Sequence, residues 1–127
     1  MPMKPFIFIA VIAVAWAIPL YEPFTGHFTY FTISGTSACG QGIDASQEEL
    51  VAVGKDWFTS LNPNTDPICD LCLKIHYKHK IITIPVVEKC AHCSKHHMEL
   101  SLPAFRKLVD HEDVRTTDGA NFTFVNC

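Results

Sequence analysis

The chain has 127 residues, 48% of them hydrophobic, with ten Lys+Arg against thirteen Asp+Glu and a formal net charge of −3. That length suits one domain with one modest core. No Lys/Arg run exceeds two residues (Arg106-Lys107), which excludes a nucleic-acid footprint or a polybasic membrane patch and, with the composition, a multidomain enzyme or a disordered tail.

Phe6 to Ala17 (FIFIAVIAVAWA) is an unbroken apolar run behind Lys4, and Ala15-Trp16-Ala17 is a small-x-small cleavage pattern. Even extended to Leu20 the run falls short of the ~20 apolar residues of a membrane span, and Pro19 interrupts it. Residues 1–17 are expected to be a secretory signal, leaving 127 − 17 = 110 residues outside the cell with nine basic against thirteen acidic side chains, a net charge of −4. The exported product is expected to be a monomer, with no membrane contact after cleavage and no nucleic-acid partner.

Ile18 to Thr25, with two prolines, reads as an extended lead-in, and His27 to Ile33 (HFTYFTI) as a strand rich in aromatic and β-branched residues. Ser34 to Asp44 (SGTSACGQGID) reads as a Gly/Ser loop. Ala45 to Leu61 supports two readings: Ser46 with Glu49 resembles a helix capping box, whereas Leu50 to Gly54 is equally a short buried strand. Leu61 to Asp66, followed by Pro67, is a turn cluster. Leu71-x-Leu73-x-Ile75-x-Tyr77 alternates with period two, Ile82-x-Ile84 and Val86-Val87 form a second strand, and Lys78-His79-Lys80 is the hairpin turn between them. Ser101 is a suitable N-cap for a helix over Leu102 to Asp110, and Asn121 to Val125 is a last strand.

All six cysteines follow residue 17. Cys69, Cys72, Cys90 and Cys93 spell C-x₂-C, seventeen residues, C-x₂-C, the spacing of a zinc ribbon. An oxidising destination and an even cysteine count point instead to three disulfides, and a four-cysteine zinc site would set Cys39 and Cys127 apart from the other four. Spacing alone does not choose among the 15 connectivities open to six cysteines.

The ordered motifs resemble a known family. Gly26 to Phe31, Ala38-Cys39-Gly40, Asn62-Pro63-Asn64 and Pro67-Ile68-Cys69 are similar to the opening of fungal proteins in the rare-lipoprotein-A-like group. Val86-Val87-Glu88-Lys89-Cys90-Ala91-His92-Cys93 resembles that group's V-V-D-R-C-x-x-C, and Glu99 to Phe105 its D-L-S-x-x-A-F. The same elements occur in the first domain of expansins and in barwin-like proteins. The resemblance spans Gly26 to Cys127. It implies a mainly β fold, a six-stranded double-psi β-barrel over residues 26–127 with one or two short helices, stapled by Cys39–Cys69, Cys72–Cys127 and Cys90–Cys93. It also settles Leu50 to Val53 as strand.

In family members that act on polysaccharide, two aspartates stand eleven residues apart; here they are Glu88 and Glu99 (99 − 88 = 11). Glycoside hydrolysis needs a second carboxylate beside the acid. The first-strand position where related cellulases keep one reads Thr29-Tyr30-Phe31-Thr32, with no carboxylate. The resemblance therefore implies a secreted protein that binds or loosens cell-wall polysaccharide without hydrolysing it, through Thr29, Tyr30, Glu88 and Glu99. A tyrosine that expansins place shortly after the first Asp is replaced by Cys90. An alternative from the same barrels is inhibition of a papain-like cysteine protease, which needs only presented loops such as Ser34–Asp44 and Ala91–His97. A third is a lytic transglycosylase. For Tyr30, Phe31 and Trp57, sugar stacking competes with core packing. His76, His79, His92, His96 and His97 are dense enough to suggest a metal, but their segments read as polar loops, and neither a metal site nor a cofactor is expected. Asn121-Phe122-Thr123 is an N-glycosylation sequon.

Overall fold

The computed structural model describes residues 18–111 and 117–127; the signal assigned to residues 1–17 lies outside the described residues. In chain order the strands are β1 (Phe24–Phe31), β2 (Ser34–Thr36), β3 (Gly42–Asp44), β4 (Val51–Gly54), β5 (Leu71–Tyr77), β6 (Lys80–Cys90), β7 (His97–Ser101) and β8 (Thr117–Asn126). Helix α1 (Leu102–Leu108) follows β7. Six strands close into a barrel in the order β1-β7-β4-β6-β5-β8, while β2 and β3 form a separate two-stranded hairpin. Within the barrel, β1 with β7 and β4 with β6 are parallel and the other four pairings antiparallel. No helix among the described residues is long and apolar enough to cross a membrane.

Alternation in sequence becomes inside and outside. Leu73 and Ile75 on β5 and Ala120, Phe122 and Phe124 on β8 are completely buried, while Lys74, His76 and Asn121 between them are exposed. Phe28, Met98 and Leu100 complete the interior from β1 and β7. Each large side chain so buried contributes about 1.5–3 kcal/mol relative to exposure. Helix α1 closes the core by burying Ala104, Phe105 and Leu108, with the Phe105 ring 5.7 Å from that of Phe28. A second, smaller cluster of Phe31, Ile43, Ala45, Leu50, Ala52, Val87, Cys90 and Cys93 lies beside it.

All six cysteines are paired, Cys39–Cys69, Cys72–Cys127 and Cys90–Cys93. These are the pairs the family resemblance implies, and they leave no four-cysteine zinc ribbon.

Several local expectations need correction. Ser34–Asp44 is not an open loop: Ser34, Gly35 and Thr36 pair with Asp44, Ile43 and Gly42. The strand begins earlier than His27, since Phe24 and Thr25 of the extended lead-in already belong to β1, and the Tyr21 amide donates to the Phe124 carbonyl at 2.9 Å. The turn cluster around Leu61–Asp66 and Pro67 is wound into short 3₁₀ turns at Pro63–Thr65 and Pro67–Asp70. Ser101 occupies the N-cap position without capping. It is fully buried, and its hydroxyl accepts the Leu50 amide (3.0 Å) while its own amide donates to the Leu50 carbonyl (2.9 Å). The serine fastens β7 to the segment entering β4.

Candidate functional site

Register across four neighbouring strands builds one row on the outside of the barrel. Thr29 on β1 pairs with Glu99 on β7, Glu99 with Ala52 on β4, and Ala52 with Glu88 on β6. Two residues back along both strands, His27 on β1 pairs with His97 on β7. Residues two apart on a strand share a face, so His27, Thr29, His97 and Glu99 form a polar square over the inward-facing Phe28 and Met98.

The square is internally bonded. His97 Nε2 and Thr29 Oγ1 are 2.8 Å apart, and the rings of His27 and His97 stack with centroids 4.5 Å apart. His92, exposed on the loop between β6 and β7, reaches Glu99 with Nε2 2.7 Å from Oε1. The Glu99 side chain is only 15% exposed. Partial burial, and then the neighbouring His27 and His92, hold the His97 imidazole below its ordinary pKa.

Glu88 does different work. Its Oε1 accepts the Ala38 amide at 2.9 Å and the Lys89 amide at 2.9 Å. Ala38 lies at the tip of the β2–β3 hairpin, which is also held by the Cys39 amide on the Val87 carbonyl and by Cys39–Cys69. Glu88 and Glu99 thus share a row but are two strand spacings apart, about 10 Å at the backbone. One anchors a hairpin while the other faces a histidine.

Tyr30 sits on the opposite face of β1 from Thr29, its ring 4.9 Å from Phe105, and does not join the row. Trp57 and Phe31 are buried; the Trp57 indole donates to the Lys95 carbonyl at 2.8 Å. His96 hydrogen-bonds the Thr25 carbonyl through Nδ1 (2.9 Å), and His76 and His79 belong to β5 and the turn after it, which β7 does not border. Asn121 is exposed on β8. His27, read only as a strand residue, is the member of the square that sequence reasoning missed. Its signal is parity, because His27 and Thr29, like His97 and Glu99, recur two apart. A further grouping joins Cys90, His92, Cys93 and Glu99, whose ligand-type atoms all lie within 4.8 Å of one another.

No family model matches the chain. It is 40% identical over 109 residues to a papain inhibitor of Streptomyces mobaraensis, across 85% of this chain and 76% of the relative. The solved structure of a Streptomyces papain inhibitor superposes with a TM-score of 0.83 at 40% identity, covering 87% of this chain and 100% of that one. An Asp→Asn variant of a Clavibacter michiganensis expansin, solved with cellohexaose, superposes with a TM-score of 0.67 at 19% identity, covering 83% of this chain and 51% of that one.

Proposed function

Since the chain belongs to the family of the Streptomyces papain inhibitor, we propose that it is a secreted inhibitor of a papain-like cysteine protease, docking through the β2–β3 hairpin. The observation that carries this reading is the 40% identity spread over 85% of the chain. The expansin likeness bears on the fold alone. Among the readings taken from sequence, protease inhibition therefore stands ahead of wall loosening.

The hairpin has the properties a protease-binding loop needs. Ser34, Gly35 and Thr36 are all exposed, and Ile33, immediately before them, presents an apolar side chain 69% exposed. The tip is fixed at several points: the Glu88 carboxylate on the Ala38 amide, Ser37 Oγ on the Gln41 carbonyl (2.8 Å), and the disulfide to Cys69. A loop already held in its bound shape gives up little conformational entropy on docking. The same fixation resists the deformation that cleavage requires. The three disulfides support export to an oxidising compartment, with residues 1–17 as the signal and Asn121 open to glycosylation.

The test is inhibition of papain by purified protein. Wild type should inhibit at one inhibitor per enzyme, and Glu99→Gln should inhibit equally. Glu88→Ala, which removes one of the anchors of the hairpin tip, should weaken inhibition about tenfold or more, about 1.4 kcal/mol. Absence of inhibition at micromolar protein defeats the reading.

The row of Thr29, Glu99 and Glu88 supports a second reading, binding of a cell-wall polysaccharide along that row. There the dependence reverses: retention on the polymer should fall with Glu99→Gln, and no soluble product should form.

A further inference from the structure

In the oxidised protein the sulfurs of Cys90 and Cys93 are bonded to each other, yet two further donors already converge on them. Cys90 Sγ is 3.6 Å from His92 Nε2 and 3.5 Å from Glu99 Oε1. Tetrahedral zinc with Zn–S of about 2.3 Å and Zn–N or Zn–O of about 2.0 Å places sulfur about 3.5 Å from a nitrogen or oxygen ligand. Two of the ligand–ligand edges are therefore close to those of an assembled site. The His92–Glu99 contact, 2.7 Å, needs to open only to about 3.3 Å.

We propose that reduction of the Cys90–Cys93 disulfide creates a zinc site whose four ligands are Cys90, His92, Cys93 and Glu99. A dithiol reductant supplies the step. The Sγ–Sγ bond breaks, two electrons and two protons pass to the cysteine sulfurs, and the reductant closes its own disulfide. Zinc then displaces the two thiol protons and binds two thiolates, the neutral His92 imidazole and the Glu99 carboxylate, leaving a net charge of −1 at the centre.

The scaffold suits such a site. All four ligands fall within residues 90–99, and the two ends of that segment are fixed in β6 and β7, which flank β4 in the barrel. Separated sulfurs lie about 3.8 Å apart around zinc, a spacing that a Cα–Cα distance of 5.4 Å accommodates. Cys90–Cys93 closes the shortest loop, a separation of 3 residues against 30 and 55. In the loop-entropy view it contributes least to the fold, and its loss leaves the barrel standing. When zinc is bound, Glu99 becomes a metal ligand and is withdrawn from the row it shares with Thr29.

The experiment treats the oxidised full chain with limiting dithiothreitol, maps the free thiols by alkylation and mass spectrometry, removes the reductant and titrates cobalt(II). The expected result is free thiols at Cys90 and Cys93 first, then one cobalt per chain with the intense visible bands of tetrahedral coordination and sulfur-to-metal charge transfer. Zinc should bleach these bands, and circular dichroism should remain that of the barrel. His92→Ala, at an exposed position, and Glu99→Gln should each weaken cobalt binding about tenfold or more. The proposal is overturned if another disulfide opens first, if the barrel unfolds, or if the oxidised protein binds cobalt as tightly. Wild-type affinity in both variants would also overturn it, as a bare dithiol chelate.

Discussion

His97 is pressed from three sides: partial burial disfavours its charged form, and His27 and His92 add repulsion once they are protonated. Its pKa in the folded protein lies below the unfolded value of about 6.5. The unfolded chain therefore binds the proton more readily. Stability is complete above that unfolded value and declines as pH falls through the depressed folded one. Thermal melts between pH 7.5 and 5 should show this decline, and His97→Asn should flatten it; an identical slope in the variant contradicts the assignment. Asp66 shows the opposite use of a polar side chain. It is 1% exposed, and its carboxylate accepts the amides of Thr59 (2.6 Å), Ser60 (2.7 Å) and Ile68 (3.1 Å). Asp66→Ala strands the buried Ile68 amide and removes the partner of two part-buried ones, and should cost about 1–3 kcal/mol, the penalty of a buried orphan. Denaturant unfolding measures this loss. In sequence Asp66 was one polar residue in a turn cluster, because spacing does not reveal which backbone groups lack partners.

The segment joining β6 to β7 lies flat on the barrel because two glycines leave room for it. A Cβ on Gly26 would overlap the His96 carbonyl oxygen, and one on Gly54 would stand 2.8 Å from the Ser94 carbonyl oxygen. Gly26→Ala should push this segment off β1, breaking the His27 amide bond to the His96 carbonyl (3.0 Å). The expected signature is loss of amide protection at His27 and a lower melting temperature. The disulfides divide by loop length. Cys72–Cys127, spanning 55 residues, should contribute about 4 kcal/mol in the loop-entropy model, against about 2 kcal/mol for Cys90–Cys93. Replacing each pair by alanine and comparing unfolding midpoints tests that order.

The elements were unevenly legible in sequence. β5 and β6 were plain because each alternates over several residues around a short turn. β7 was not, because His97-Met98-Glu99-Leu100-Ser101 is only five residues long and follows a histidine-rich stretch that reads as polar loop. Its two inward residues, Met98 and Leu100, are too few to establish a period. The β2–β3 hairpin was missed for a related reason. Its strands are three residues each, and β2 buries nothing, so hydrophobic pattern carries no trace of it.

At the scale of the whole molecule, closure of the barrel follows from parallel pairings between strands distant in sequence, β1 with β7 and β4 with β6. Local pattern says nothing about such partners. The ordered family motifs supplied the barrel, and register then explains why Thr29, Glu99 and Glu88 line up on its surface. What the motifs could not supply is how the two acids are used, since Glu88 is spent on a backbone amide and Glu99 on His92. That division separates the hairpin end of the row from its histidine end.

Backbone amide hydrogen exchange, compared residue by residue for the free protein and its complex with papain, tests the hairpin assignment most directly. Added protection should centre on residues 33–44 and leave His27, Thr29, His97 and Glu99 unchanged. Protection centred on those four positions, with the hairpin exchanging as before, would contradict it.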